Sequence, residues 1–137
     1  MCKGAILGIT ALAIGSLLVA SSNASAATTK NAQDERASRI GAVAVTVGKN
    51  LAMAANDPQS LRFDTFELMK DDSICVVFRG RNPQGGMQAM TVVMLPDGKG
   101  GYEANPQNGK LWNAHCKGKS GDDYSELARM GAKSASR

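Results

Sequence analysis

Aromatic side chains are scarce in this chain, with three Phe, two Tyr and one Trp among 137 residues. A core must therefore be assembled from Val, Leu, Ile, Met and Ala. Histidine occurs once, as His115, and cysteine three times. With Cys2 of the N-terminal stretch set aside, one histidine and two cysteines that can pair do not supply the usual four-ligand zinc centre. Among 16 basic and 12 acidic residues there is no block of like charge, so the mild basic excess reads as a solvated surface and no nucleic-acid partner is expected. No serine sits in a nucleophile elbow, no glycine pair is followed by the lysine and hydroxyl of a phosphate loop, and no internal repeat is present.

What is present begins with a secretory pattern. Lys3 provides a positive start, Ile6 to Val19 an apolar stretch too short for a comfortable membrane span, and Ala24-Ser25-Ala26 a small-x-small cleavage site. Residues 1–26 thus read as a signal peptide. Cys2 leaves with it, and no cysteine follows at a position where a lipid is attached. The expected product starts near Ala27, is periplasmic or secreted, has no transmembrane span, and at roughly 110 residues forms one domain.

Two cysteines remain, Cys75 and Cys116, and they allow one intramolecular pairing. In an oxidising compartment a disulfide is expected. It closes a loop of about 40 residues, contributing roughly 4 kcal/mol on the chain-entropy view.

Residues 27–33 are small and polar and read as a disordered mature N-terminus. From Asp34 the apolar positions Ile40, Val43, Val47, Leu51 and Ala54 recur at helical steps, and Asn56-Asp57-Pro58 makes a stop. Val43, Val45 and Val47 also fit a strand period, but the abundant alanine favours helix. Three strand-length runs follow, Phe63 to Met69, Ile74 to Arg81 and Met87 to Leu95, separated by Lys70-Asp71-Asp72-Ser73 and Arg81-Asn82-Pro83-Gln84-Gly85-Gly86. Gly85 and Gly86 are expected to supply positive φ. A short fourth strand around Tyr102 is possible after a glycine-rich turn. Leu111 to Cys116 fits either a strand or one helical turn. Asp122 or Asp123 caps a last helix, Tyr124 to Met130, stopped by Gly131. The expected fold is α+β: a long N-terminal helix on a three- to four-stranded antiparallel meander, a short C-terminal helix and one disulfide. The domain spans 34–131, with a frayed tail at 132–137.

The order Asp57-Pro58-Gln59-Ser60, Phe63, Cys75, Asn82 with Gly85-Gly86, Trp112 and Cys116 resembles a pattern in small exported bacterial proteins of unknown function. In that group D-P-x-S-x-x-F follows a helix, V-C-G-x-V-N-x-K-N-x-x-G-G-Y-x-G comes next, and a tryptophan and second cysteine lie near the end. The likeness covers roughly Val47 to Cys116. This chain has Val76 where glycine is usual, Arg81-Asn82 where lysine-asparagine is usual, and Met87 where tyrosine is usual. The resemblance implies export, this fold and the disulfide, and implies no activity. The residues also have plain structural readings: Asp57-Pro58 ends the helix, Ser60 bonds a nearby backbone amide, and Phe63 opens the sheet.

The chemistry-bearing residues do not form an evident set. His115 adjoins Cys116, but an oxidised cysteine is no nucleophile, and strand neighbours face opposite ways. Asp71-Asp72 and Asp122-Asp123 fit a turn and a helix cap. The expectation is therefore a non-catalytic exported module, without a cofactor, that binds or supports an envelope protein or glycan. One alternative is a small hydrolase using Glu67, Asp64 or His115. Another is copper handling through the thioethers of Met90 and Met94, with Met87 pointing away on a strand; methionine as adaptable core filling is the plainer reading. The oligomeric state is open, as is whether Trp112 packs over the disulfide or lies at a surface.

Overall fold

The computed structural model describes residues 22–137, with side chains from residue 29 onward. The signal-peptide reading therefore lies outside the described residues, apart from its last few positions. The order is α1 (Ser22–Ala54), a 3-10 turn (Pro58–Ser60), β1 (Arg62–Leu68), β2 (Ile74–Arg81), β3 (Met87–Pro96), β4 (Tyr102–Pro106), α2 (Gly109–His115), β5 (Asp122–Asp123) and α3 (Ser125–Ala135). All strands pair antiparallel in the spatial order β4-β3-β2-β1-β5. The α+β fold with its long helix, meander and single disulfide is thus observed, and β5 and α2 are added to it.

Strand alternation divides the interior into two layers. Phe63, Phe66 and Leu68 of β1, Ile74, Val76 and Phe78 of β2, and Met94 of β3 face the helices and pack with Ile40, Ala44, Ala52, Ala128 and Ala132. Cys75 and Val93 point the other way and join Met69 and Cys116 in a second cluster, which Leu111, Trp112 and Leu95 cover. Helix α2 thus roofs one end of the sheet face that α1 and α3 leave open.

The helix layer is unusually close. A Cβ on Gly48 would lie 2.0 Å from the Ala128 carbonyl oxygen, and one on Gly131 would lie 2.0 Å from that of Val45. From Arg36 onward α1 runs, like α3, from the Met69 end of β1 toward the Pro58–Ser60 turn. The expected apolar row on α1 holds over Ile40, which is buried, and Val43, Val47 and Leu51, which pack against the core, while its last member, Ala54, is exposed at the helix end. Its seam with α3 uses the smaller residues Gly41, Ala44, Gly48 and Ala52, all buried.

Several expectations are corrected. Residues 27–33 are helical, because α1 starts at Ser22, and the expected cleavage after Ala26 falls inside it. Gly131 does not stop the last helix but lies within it; its missing side chain admits the Val45 carbonyl. The tail 132–137 is helical to Ala135, and Ala132 is buried against the core. Asp122 and Asp123 pair with Leu68 and Glu67 as a strand, while the Asp123 carboxylate also accepts from the amide and hydroxyl of Ser125 at the start of α3. Of the hairpin glycines only Gly85 has positive φ, 88°; the Gly86 amide donates to the Asn82 side chain.

Candidate functional site

The motif Asp57-Pro58-Gln59-Ser60 is a staple between turn and sheet. The Ser60 hydroxyl donates to the Asp57 carbonyl at 2.8 Å and accepts from the Arg81 amide at 2.9 Å. The bonded amide is thus that of the β2 terminus, far away in sequence. Asp57 also faces the Arg81 guanidinium at 4.0 Å. Phe63, 2% exposed, packs on Phe78 with ring centroids 6.0 Å apart. These contacts hold structure together, and beside them Pro58, Gln59 and Phe63 line a cleft of about 370 Å³ with Arg62 of β1 and Arg129 and Lys133 of α3.

Cys75 and Cys116 form the disulfide, with Cα atoms 5.8 Å apart. Leu111 to Cys116 adopts the helical alternative, because the Asn108 side chain caps α2 by accepting from the Leu111 amide. Trp112 lies half-buried against the disulfide cluster. His115, on the same helix, places Nδ1 2.7 Å from one oxygen of Asp71. The other Asp71 oxygen accepts from the Ser73 amide and hydroxyl. These Ser73 bonds, with the His115 contact, pull the Asp71 carboxyl down to about 2. Next to it, Asp72 has a positive φ of 66° and takes the Nε and Nη2 protons of Arg36. The β1–β2 turn thus grips α2 with one carboxylate and α1 with the next.

The groups named for acid–base chemistry do not assemble. Asp64 is paired with Arg79 at 2.9 Å, His115 with Asp71, and Glu67 stands in register between Cys75 and Asp123. Met94 is buried and Met90 packs against the core. They share the helix-side face of β3 with Val92 between them, about 13 Å apart along the strand. Met87 is on the opposite face and exposed. No group of three or more His, Cys, Asp and Glu residues suited to a metal occurs among the described residues.

The larger concave surface lies elsewhere. Two helices cover a five-stranded sheet about 19 Å wide between its outer strands. Helix α3 lies over β1 and α1 runs beside it, so the β3–β4 half of this face is incompletely covered. Met90 and Val92 remain half-buried, and Ala104 and Pro106 exposed. An apolar groove of about 380 Å³ runs here between Ala42, Val43, Thr46 and Val47 of α1 and Met94 of β3. It meets, at Arg39, a polar cleft of about 550 Å³ bounded by Glu35, Arg36, Asp72, Tyr102 and the glycines of the β3–β4 turn. Burial raises the Tyr102 phenol above its ordinary value, helped by Asp72 and opposed by Arg36 and Arg39. From Ala32 to Val47 the trough is ~22 Å long.

Sequence reasoning missed this surface. Glu35, Arg36 and Arg39 were not read as site residues and Tyr102 was read only as part of a strand, because no pattern in the sequence reports how closely two helices approach. The available signal was the small-residue row Gly41, Ala44, Gly48 and Ala52. No family model, curated protein or solved structure matches this chain. Among the described residues no helix is long and apolar enough to cross a membrane.

Proposed function

We propose that this protein is a non-catalytic exported module that binds or supports another component of the cell envelope, through the trough between α1 and the β3–β4 half of the sheet. The observation that carries this reading is the open apolar floor beside α1, Val43, Val47 and Met94, continuous with a charged cleft. Apolar surface left half-covered next to charge is the composition of a docking site. The dispersed positions of Asp64, Glu67 and His115 favour binding over hydrolysis, since acid–base catalysis needs such groups within reach of one reacting centre. The disulfide and the absence of a membrane-spanning helix among the described residues are compatible with the periplasmic or secreted location that the N-terminal pattern suggests.

Thr46→Arg tests the reading. Thr46 is exposed, so the fold should be retained while the groove is blocked. Envelope material bound by the oxidised wild-type protein should be lost from this variant and kept by Lys110→Glu on α2. Equal retention by wild type and Thr46→Arg would remove the trough from the binding surface.

A further inference from the structure

The trough resting on the reading above has an occupant whose chemistry is visible in the chain itself. Ahead of the first buried position, Ile40, residues 30–35 of α1 are all exposed. A polar helical half standing free in water is marginally stable by itself. Beside it, Glu35 and Arg39 have no ion-pair partner among the described residues, whereas Arg36 is held by Asp72.

We infer that a second copy of this chain fills the trough, in a two-fold dimer whose α1 helices run antiparallel. The positions on the exposed face of α1 are self-complementary. With the two-fold axis beside residue 37, Glu35 meets Arg39 of the second copy and Arg39 meets its Glu35. Ala32 then falls opposite Ala42. This is the reciprocal matching that an isologous interface requires. Ala32, Glu35, Arg39, Ala42 and Thr46 are all exposed in the single chain, and the small residues on either side of the charges let two helices approach closely. The same register lays residues 30–34 of each α1 along the other copy's apolar groove beside Val43. Each domain body follows its helix toward the opposite end, so the two bodies stay apart. One arrangement thus covers the free helix, pairs both charges and fills the groove.

Sedimentation equilibrium of the oxidised protein, as recovered after export, tests this with charge reversals. Wild type should be dimeric. Glu35→Arg or Arg39→Glu places like charges opposite each other and should raise the dimer dissociation constant about tenfold or more. The double variant Glu35→Arg/Arg39→Glu recreates both pairs in reverse and should return to near wild-type association. Circular dichroism of each variant reports that the fold is kept. A wild type that stays monomeric into the millimolar range overturns the dimer, as does a dimer indifferent to both reversals. A monomer that still loses its envelope ligand on Thr46→Arg would overturn the second copy while leaving the trough as the docking surface.

Discussion

Gly48 of α1 and Ala128 of α3 are in backbone contact: a methyl group at position 48 would stand 2.0 Å from the Ala128 carbonyl oxygen. Gly131 meets Val45 in the same way from the other helix. A pair of glycines, one from each side, sets the separation of the helix layer.

Adding that methyl group should force the helices apart. Gly48→Ala or Gly131→Ala is expected to cost about 3 kcal/mol, the upper part of the usual range for overpacking. Gly109→Ala at the start of α2, where a Cβ meets nothing within 4 Å, should be neutral or slightly stabilising. Urea denaturation of the three variants gives the comparison. Equal midpoints for Gly48→Ala and wild type would show that the helices are not in contact through this glycine.

The second prediction concerns α2, which Cys116 ties to Cys75 beneath Trp112. Cys75→Ser/Cys116→Ser should lower stability by roughly 2–5 kcal/mol. Because Trp112 is the only tryptophan, its fluorescence reports this helix alone. Emission should shift to longer wavelength in the double variant at denaturant concentrations where the far-ultraviolet dichroism is still native. Simultaneous loss of both signals at wild-type concentrations of denaturant would show that the bridge does not hold α2.

Acid should expose the role of Asp71. Its carboxyl titrates at about 2 in the folded protein rather than near 3.8, so the folded state binds its proton less readily than the unfolded chain does. Its contribution is complete above the unfolded value and is lost as the pH falls through the window from about 4 to 2. Asp123, pulled down by the Ser125 hydroxyl, adds to the slope with the same sign. Asp71→Asn should lower stability at neutral pH and flatten the acid limb in that window. An acid limb unchanged by the substitution would place the responsible carboxylates elsewhere.

Ser60 should be worth more than a surface turn residue. In Ser60→Ala the Arg81 amide loses its acceptor and the Asp57 carbonyl one of its donors, at a cost of about 1–2 kcal/mol. Thermal unfolding measures this, and a cost within error of zero would reduce the motif to a simple chain reversal.

What the sequence revealed depended on the size of the side chains involved. Ile40, Val43, Val47 and Leu51 announced α1, and the turn residues around Asp71 and Gly85 separated the strands, because these signals are local. The cysteine pair was legible by elimination. Gly48 was passed over and Gly131 misread because a glycine that admits a neighbouring carbonyl looks the same in sequence as one that ends a helix. β5 was missed since two residues carry no period, and Asp123 serves both strand and helix start. The trough was hidden for a related reason: Arg39 and Val47 become neighbours of Tyr102 and Met94 only after the sheet has paired and the helices have closed on each other.

The most direct test of the central claim is site-specific photo-crosslinking in living cells, with a photoreactive residue at Thr46 in the trough or at Lys110 on α2. The account predicts a discrete covalent adduct from position 46 and none from position 110, with the mass of the adduct showing whether its other member is a second copy of this chain. Adducts from position 110 alone, or from both positions equally, would contradict the assignment of the trough as the docking surface.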